Sequence, residues 1–184
     1  MTKKILVLLA DGFEELEFVA PFDILARGGL DVVTASIHET PAVESARHLQ
    51  VTADTLLSDV HAADYAMLVL PGGGGGTQNL RRSEAVLQIV RQFHAQGKWI
   101  GAICAAPTVL VAAGVLQHHK ATSFPATEAE VAPYCKDYLT DKVVIDGKVV
   151  TSRAAGTAAE FGFALLAQIA GEAKAMEIRK QMVF

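Results

Sequence analysis

Unbroken apolar runs alternate with stretches of helical period along the whole chain. Residues 5–9 are apolar without interruption, as in a strand covered on both faces. Over residues 14–26, Leu16, Val19, Ala20 and Ile24 form one apolar stripe. That stripe predicts a core-facing helix, kinked at Pro21 and closed by Gly28-Gly29. Residues 31–37, rich in Val and Thr, predict a second strand, and residues 38–57 read as irregular with a short strand at 49–52. Residues 65–70 predict a buried strand that Pro71 and five glycines stop. Ser83 can cap a helix over 84–96, ended by Gly97. A strand at 99–104 and a helix at 106–113, stopped by Gly114, come next, and then a short strand at 121–124. Thr127 and Glu130 have the spacing of a capping box for a brief helix. Residues 143–145 and 149–152 predict a hairpin with Asp146-Gly147 in a type I′ turn. Two helices, over 156–170 and 172–182, complete the chain.

Strands that alternate with helices predict an α/β fold: an open, mostly parallel sheet with helices on both faces, in one domain over residues 1–184. No linker, repeat or shift in composition divides it. In such sheets the working site lies beyond the carboxyl ends of the strands. That rule singles out residues 11–17, 71–79 and 103–107.

The 184 residues are 51% hydrophobic and 20% charged, which excludes a disordered chain. The formal charge of −4 argues against a nucleic-acid binder. No apolar run approaches the ~18–20 residues of a membrane helix. The N-terminal apolar stretch is short and runs into Asp11-Gly12, so it reads as a strand and not as a signal peptide. Two cysteines, Cys104 and Cys135, make no disulfide scaffold and suggest a reducing, cytoplasmic setting.

Cys104 stands where a strand meets a helix, among the small residues Ala102, Ala105 and Ala106 and before Pro107. Such an elbow exposes a side chain at the top of a sheet, and amides at a helix start favour thiolate. The alternative is a buried structural thiol. Glu17 lies beside the apolar stripe of the first helix; buried there, it would have a raised pKa and could exchange a proton with a thiol, whereas exposed it is an ordinary first-turn acid. Gly72 to Gly76 could offer amides to an anion, but no Lys-Ser or Lys-Thr follows as in a phosphate-binding loop. His118-His119 lack the companions of a metal site. Arg47 and Arg153, in loops, are anion clamps or plain surface charges.

Glu14-Glu15-Leu16-Glu17, Leu70-Pro71-Gly72-Gly73, Ala102 to Pro107 and Thr151-Ser152-Arg153 together resemble the DJ-one/ThiJ/PfpI superfamily. The resemblance runs nearly end to end and is strongest to its bacterial YajL-type branch. It implies a flavodoxin-like three-layer sandwich, usually homodimeric. It also implies a reactive, oxidation-prone Cys104 with Glu17 as protonated partner, a pocket of Gly73 and Ala105 amides, and Arg47 and Arg153 nearby. Several relatives have His before Pro where this chain has Phe124, a Phe that the YajL-type branch shares; a second family cysteine, near Thr52, is absent. Phenylalanine moves no protons, so Glu17 is left as the acid/base. Deglycase or glyoxalase activity on methylglyoxal and its protein or nucleotide adducts, without cofactor or metal, is the leading implication. A redox-sensing holding chaperone with unfolded clients is the alternative; a role in thiamine-thiazole synthesis finds no phosphate-binding motif here.

Overall fold

The computed structural model describes residues 3–184. In chain order the elements are β1 (Lys4–Leu9), α1 (Glu15–Arg27), β2 (Asp31–Ser36), β3 (Ala42–Glu44), β4 (Gln50–Thr52), β5 (Thr55–Leu56), β6 (Met67–Leu70), α2 (Gly74–Arg82), α3 (Glu84–Ala95) and β7 (Trp99–Ile103). There follow α4 (Pro107–Ala113), β8 (Lys120–Ala121), α5 (Glu128–Val131), β9 (Asp137–Tyr138), β10 (Val143–Asp146), β11 (Val149–Ser152), α6 (Ala158–Ala170) and α7 (Glu172–Gln181).

Seven strands form one sheet in the order β10-β11-β7-β6-β1-β2-β5, parallel throughout except for the antiparallel edge pair β10–β11. The apolar runs are unbroken because each strand feeds two cores. Leu6 and Leu8 of β1 pack with Val86, Val90 and Phe93 of α3 and with Val109 and Leu110 of α4. Ile5, Val7 and Leu9 face the opposite layer, with Ile24 and Leu25 of α1 and Phe161, Leu165 and Leu166 of α6. The result is a flavodoxin-like α/β sandwich. From β1 the chain moves outward to β2 and then returns to lay β6 on β1's other side. At this reversal the helices that follow β1 and β6 pass to opposite faces of the sheet, which sets the working site at the carboxyl ends of these strands.

Five local expectations are corrected. The buried face of α1 is Glu17, Phe18, Pro21, Ile24 and Leu25, whereas Leu16 and Val19 are 58% and 45% exposed. Both sets have helical spacing, and a carboxylate on the buried set disguises it. The five glycines do more than stop β6, because α2 begins among them at Gly74. The Thr127 hydroxyl lies on Ser123 Oγ (3.0 Å) and the Phe124 carbonyl (2.9 Å), and it does not cap α5. Asp146 pairs with Val149, so the hairpin loop is Gly147-Lys148. Only Gly147 has positive φ, as in a type II′ turn. The stretch read as irregular holds β3 and β5 as well as β4.

Candidate active site

Cys104 follows β7 directly and has φ 64°, in the left-handed region that a residue with a side chain rarely enters. Such a conformation costs on the order of 1–3 kcal/mol and persists only where the surroundings enforce it. Here its N–H donates to the Ser152 carbonyl (2.9 Å), and its own carbonyl accepts from the Phe124 N–H (2.8 Å). The chain then turns at once, with Ala106 N–H on the Ile103 carbonyl at 3.0 Å, and Ala102 and Ala106 are fully buried. The side chain is thereby turned out of the sheet at the carboxyl ends of the strands.

The glycines bring the other two loops against it. A Cβ on Gly72 would lie 2.7 Å from the Cys104 Cβ and would also strike the Glu17 carboxylate. Gly73, at φ +91°, presses on the Gly12–Glu14 backbone, where a Cβ would come within 2.6 Å of the Glu14 nitrogen. The Glu14 N–H donates to the Gly72 carbonyl at 3.1 Å. The loop after β1 can approach the loop after β6 only because side chains are missing between them.

Glu17 is 1% exposed, and its carboxyl group lies beside the Cys104 thiol and the amides of Gly72 and Ala155. Its Oε2 has no hydrogen-bonding partner within the usual limits. Burial is the main force on it and Glu14's charge adds to it, so its pKa is raised to about 7 against the opposing pull of the thiol and amides. Burial, followed by the negative charge of Glu17, pushes the Cys104 thiol up to about 12. The amides of Gly73 and Ala105 face the sulfur and pull the other way. The expectation of a depressed thiol pKa is therefore corrected: the amides are in place but are outweighed. Burial and the Glu17 charge thus oppose the thiolate, and the Glu17 carboxylate beside it is a group that can take the thiol proton.

The profile of the DJ-1/PfpI family matches residues 3–168. This chain belongs to the DJ-1/PfpI family. Protein dj-1beta of Drosophila melanogaster is 38% identical over 184 residues, covering 100% of this chain and 98% of that protein. Its crystal structure superposes with a TM-score of 0.95 at 39% identity, over 100% of this chain and 98% of that one. An oxidized Toxoplasma gondii DJ-1 gives 0.93 at 34% identity, over 100% and 99%. The glutathione-independent glyoxalase DJ-1 of Schizosaccharomyces pombe is 30% identical over 187 residues, covering 97% of each.

In this DJ-1/PfpI chain, Cys104, Glu17, Gly73 and Ala105 converge, and the two arginines lie on flanking loops. The Arg47 guanidinium is largely exposed and paired with Glu15 (3.0 Å) and Glu14 (3.3 Å). Burial works against ionisation of Glu15, yet hydrogen bonds from Ser45, its own amide and Arg47 hold its pKa at about 2. Arg47 thus steadies the acidic turn that leads into Glu17. Arg153 is half-buried, with one guanidinium nitrogen enclosed and without a hydrogen-bonding partner. One contributor escaped the sequence reading, the Ala155 amide, and Gly72, singled out there within the glycine run, serves as the spacer between thiol and carboxylate. The Ala155 turn is held by Thr157, whose Oγ1 accepts from the Ala154 N–H (3.1 Å) and contacts Ser152 Oγ (2.7 Å). A backbone amide supplied by tertiary folding leaves no residue-type signal. Among the described residues no His, Cys, Asp and Glu are grouped as a metal site, and His119 instead meets His94 and the Asp146 carbonyl.

Proposed function

We propose that this protein is a cysteine-dependent enzyme acting, without metal or cofactor, on reactive carbonyls such as methylglyoxal and its adducts. The observation that carries the reading is the placement of a buried carboxyl group, its pKa raised to about 7, against a strained, half-buried thiol. The relative named as a glutathione-independent glyoxalase supports the same reaction class. The Cys104 sulfur bonds to the aldehyde carbon while its proton moves to Glu17 and then to the carbonyl oxygen, giving a hemithioacetal. The Gly73 and Ala105 amides hold the oxygen as charge develops on it. Glu17 next removes the proton from the former aldehyde carbon and returns one to its neighbour, which leaves a thioester. Water cleaves the thioester and frees lactate and the thiol, so that overall methylglyoxal and one water become lactic acid. With an adduct, the amine or thiol leaves when its bond to the aldehyde carbon breaks.

The test is conversion of methylglyoxal to lactate by wild type and Cys104→Ser, purified identically without metal or glutathione. Turnover lost in the variant supports the reading, and equal or absent turnover removes it. The oxidized Toxoplasma relative favours a second reading, in which Cys104 senses oxidants and oxidation alters a surface for unfolded clients. Dilute peroxide should then oxidise Cys104 ahead of Cys135, as read by peptide mass spectrometry. We also propose a cytoplasmic homodimer. The two free cysteines suit a reducing compartment, and exposed Leu16 and Val19 on α1 with Leu49 suit a self-association face. Sedimentation of Leu16→Glu/Val19→Glu as a monomer supports that face. No helix among the described residues is long and apolar enough to cross a membrane.

A further inference from the structure

Beside the thiol lies a cleft that the mechanism above does not use. It has a volume of about 550 Å³ and is bounded by α2, α4 and the segment leading into α5. It adjoins the reactive centre through Ala105, whose amide faces the Cys104 sulfur, and through Gly74, next to Gly73. This is the volume of a site for a sizeable organic molecule, and methylglyoxal fills only a small part of it. At the Gly74 end a Cβ would meet nothing within 4 Å, so the cleft is open at that end. At the other end stand Arg81 and Arg82. Arg81 is paired with Glu130 at 2.6 Å, but both side chains are about half exposed, so an incoming anion can replace that partner. Arg82 forms no ion pair among the described residues. Two cations against one exchangeable carboxylate, with the hydroxyl-bearing Thr77 and Thr127 between, describe a polar channel that ends in a positive charge.

We propose that this cleft is a specificity subsite, which selects 2-oxoaldehydes or their adducts that carry a carboxylate about 10 Å from the reacting carbon, the span set by the 1.5 Å rise of α2 from Gly74 to its arginines. The inference rests on the reaction proposed above. Arg82 and Arg81 grip the carboxylate as a charge-assisted fork, while the aldehyde end reaches the sulfur past Gly74. The arginines are specificity residues and take no part in bond making.

The test compares a 2-oxoaldehyde bearing a terminal carboxylate on a nine-carbon chain with its methyl ester, which presents the same reacting carbon. The expected wild-type preference for the acid is about tenfold in kcat/KM, carried mainly by KM, and should fall to about onefold in Arg81→Gln/Arg82→Gln. Arg82→Lys should keep part of it. Gly74→Leu, which fills the open end of the cleft, should slow both long compounds more than methylglyoxal. A wild-type preference near onefold, or one that survives the double glutamine variant, overturns the subsite. If neither compound is turned over, the catalytic reading fails and the subsite is judged by binding. Hexanoate, but not methyl hexanoate, should then displace the Arg81 and Arg82 side-chain N–H resonances, and no displacement overturns the proposal.

Discussion

Cys104 and Cys135 are both free, both half-buried and both packed against the apolar core, and burial is the largest influence raising the pKa of each. Cys135 has ordinary extended backbone (φ −118°), and its sulfur donates only to the Ala132 carbonyl, at 3.6 Å. Cys104 has φ 64°, two amides turned to its sulfur and a carboxyl group in contact. Neither exposure nor the direction of the pKa shift separates the pair. A proton acceptor does, because a carbonyl can accept a hydrogen bond but cannot take the proton, whereas Glu17, at about 7, can. A high thiol pKa is therefore compatible with reactivity when the proton has a short route away.

The comparison breaks most sharply if activity does not follow this partnership. Cys104→Ser should lose methylglyoxal turnover by at least ~10³-fold, and Cys135→Ser should stay within about twofold, as measured by lactate formation. Glu17→Gln should cost about 10²-fold in kcat with the fold intact by circular dichroism. The same substitution should stabilise the protein above neutral pH. Glu17 binds its proton more tightly when folded, about 7 against the ordinary 4.5, so its contribution is complete below 4.5 and lost as pH rises through 7. Glutamine escapes that loss, and urea titration at pH 8 should show a gain of about 2 kcal/mol over wild type, with little gain at pH 4.5. In a Cys135→Ser background, Glu17→Gln should also lower the Cys104 pKa from about 12, because it removes a charge that raises it. Thiolate absorbance against pH reports that shift. Arg47→Gln should have the smallest effect, under about 1 kcal/mol of stability, since its pairs with Glu14 and Glu15 are largely exposed.

Part of the site was legible because backbone constraints leave marks in residue type. A strand-to-helix elbow needs small neighbours, and Ala102, Ala105 and Ala106 supplied them. Close approach of two loops needs glycine, and Gly72, Gly73 and Gly76 lie where a Cβ would strike backbone or the Glu17–Cys104 pair. Glu17 was harder to place. The stripe Leu16, Val19, Ala20 looked like the core face of α1 because the true face carries a carboxylate. Local pattern misleads here because a buried acid breaks the hydrophobic rule, and functional sites are where such breaks are expected. The start of α2 in a run of glycines was equally hidden, since glycine disfavours helix and only packing against Gly12 and Phe13 requires it there.

By itself the sequence determined the alternation of strands and helices, the two-faced sheet and the three loops at its working edge. Periodicity and glycine placement encode these, and both are local properties of the chain. Only the tertiary structure decided which face of α1 is buried, that the Ala155 amide joins the Glu17 carboxyl group, and that Arg47 is spent on Glu14 and Glu15. It also decided the balance of proton affinities between Cys104 and Glu17. That balance depends on burial and on charges brought together from distant parts of the chain, and no short segment carries it.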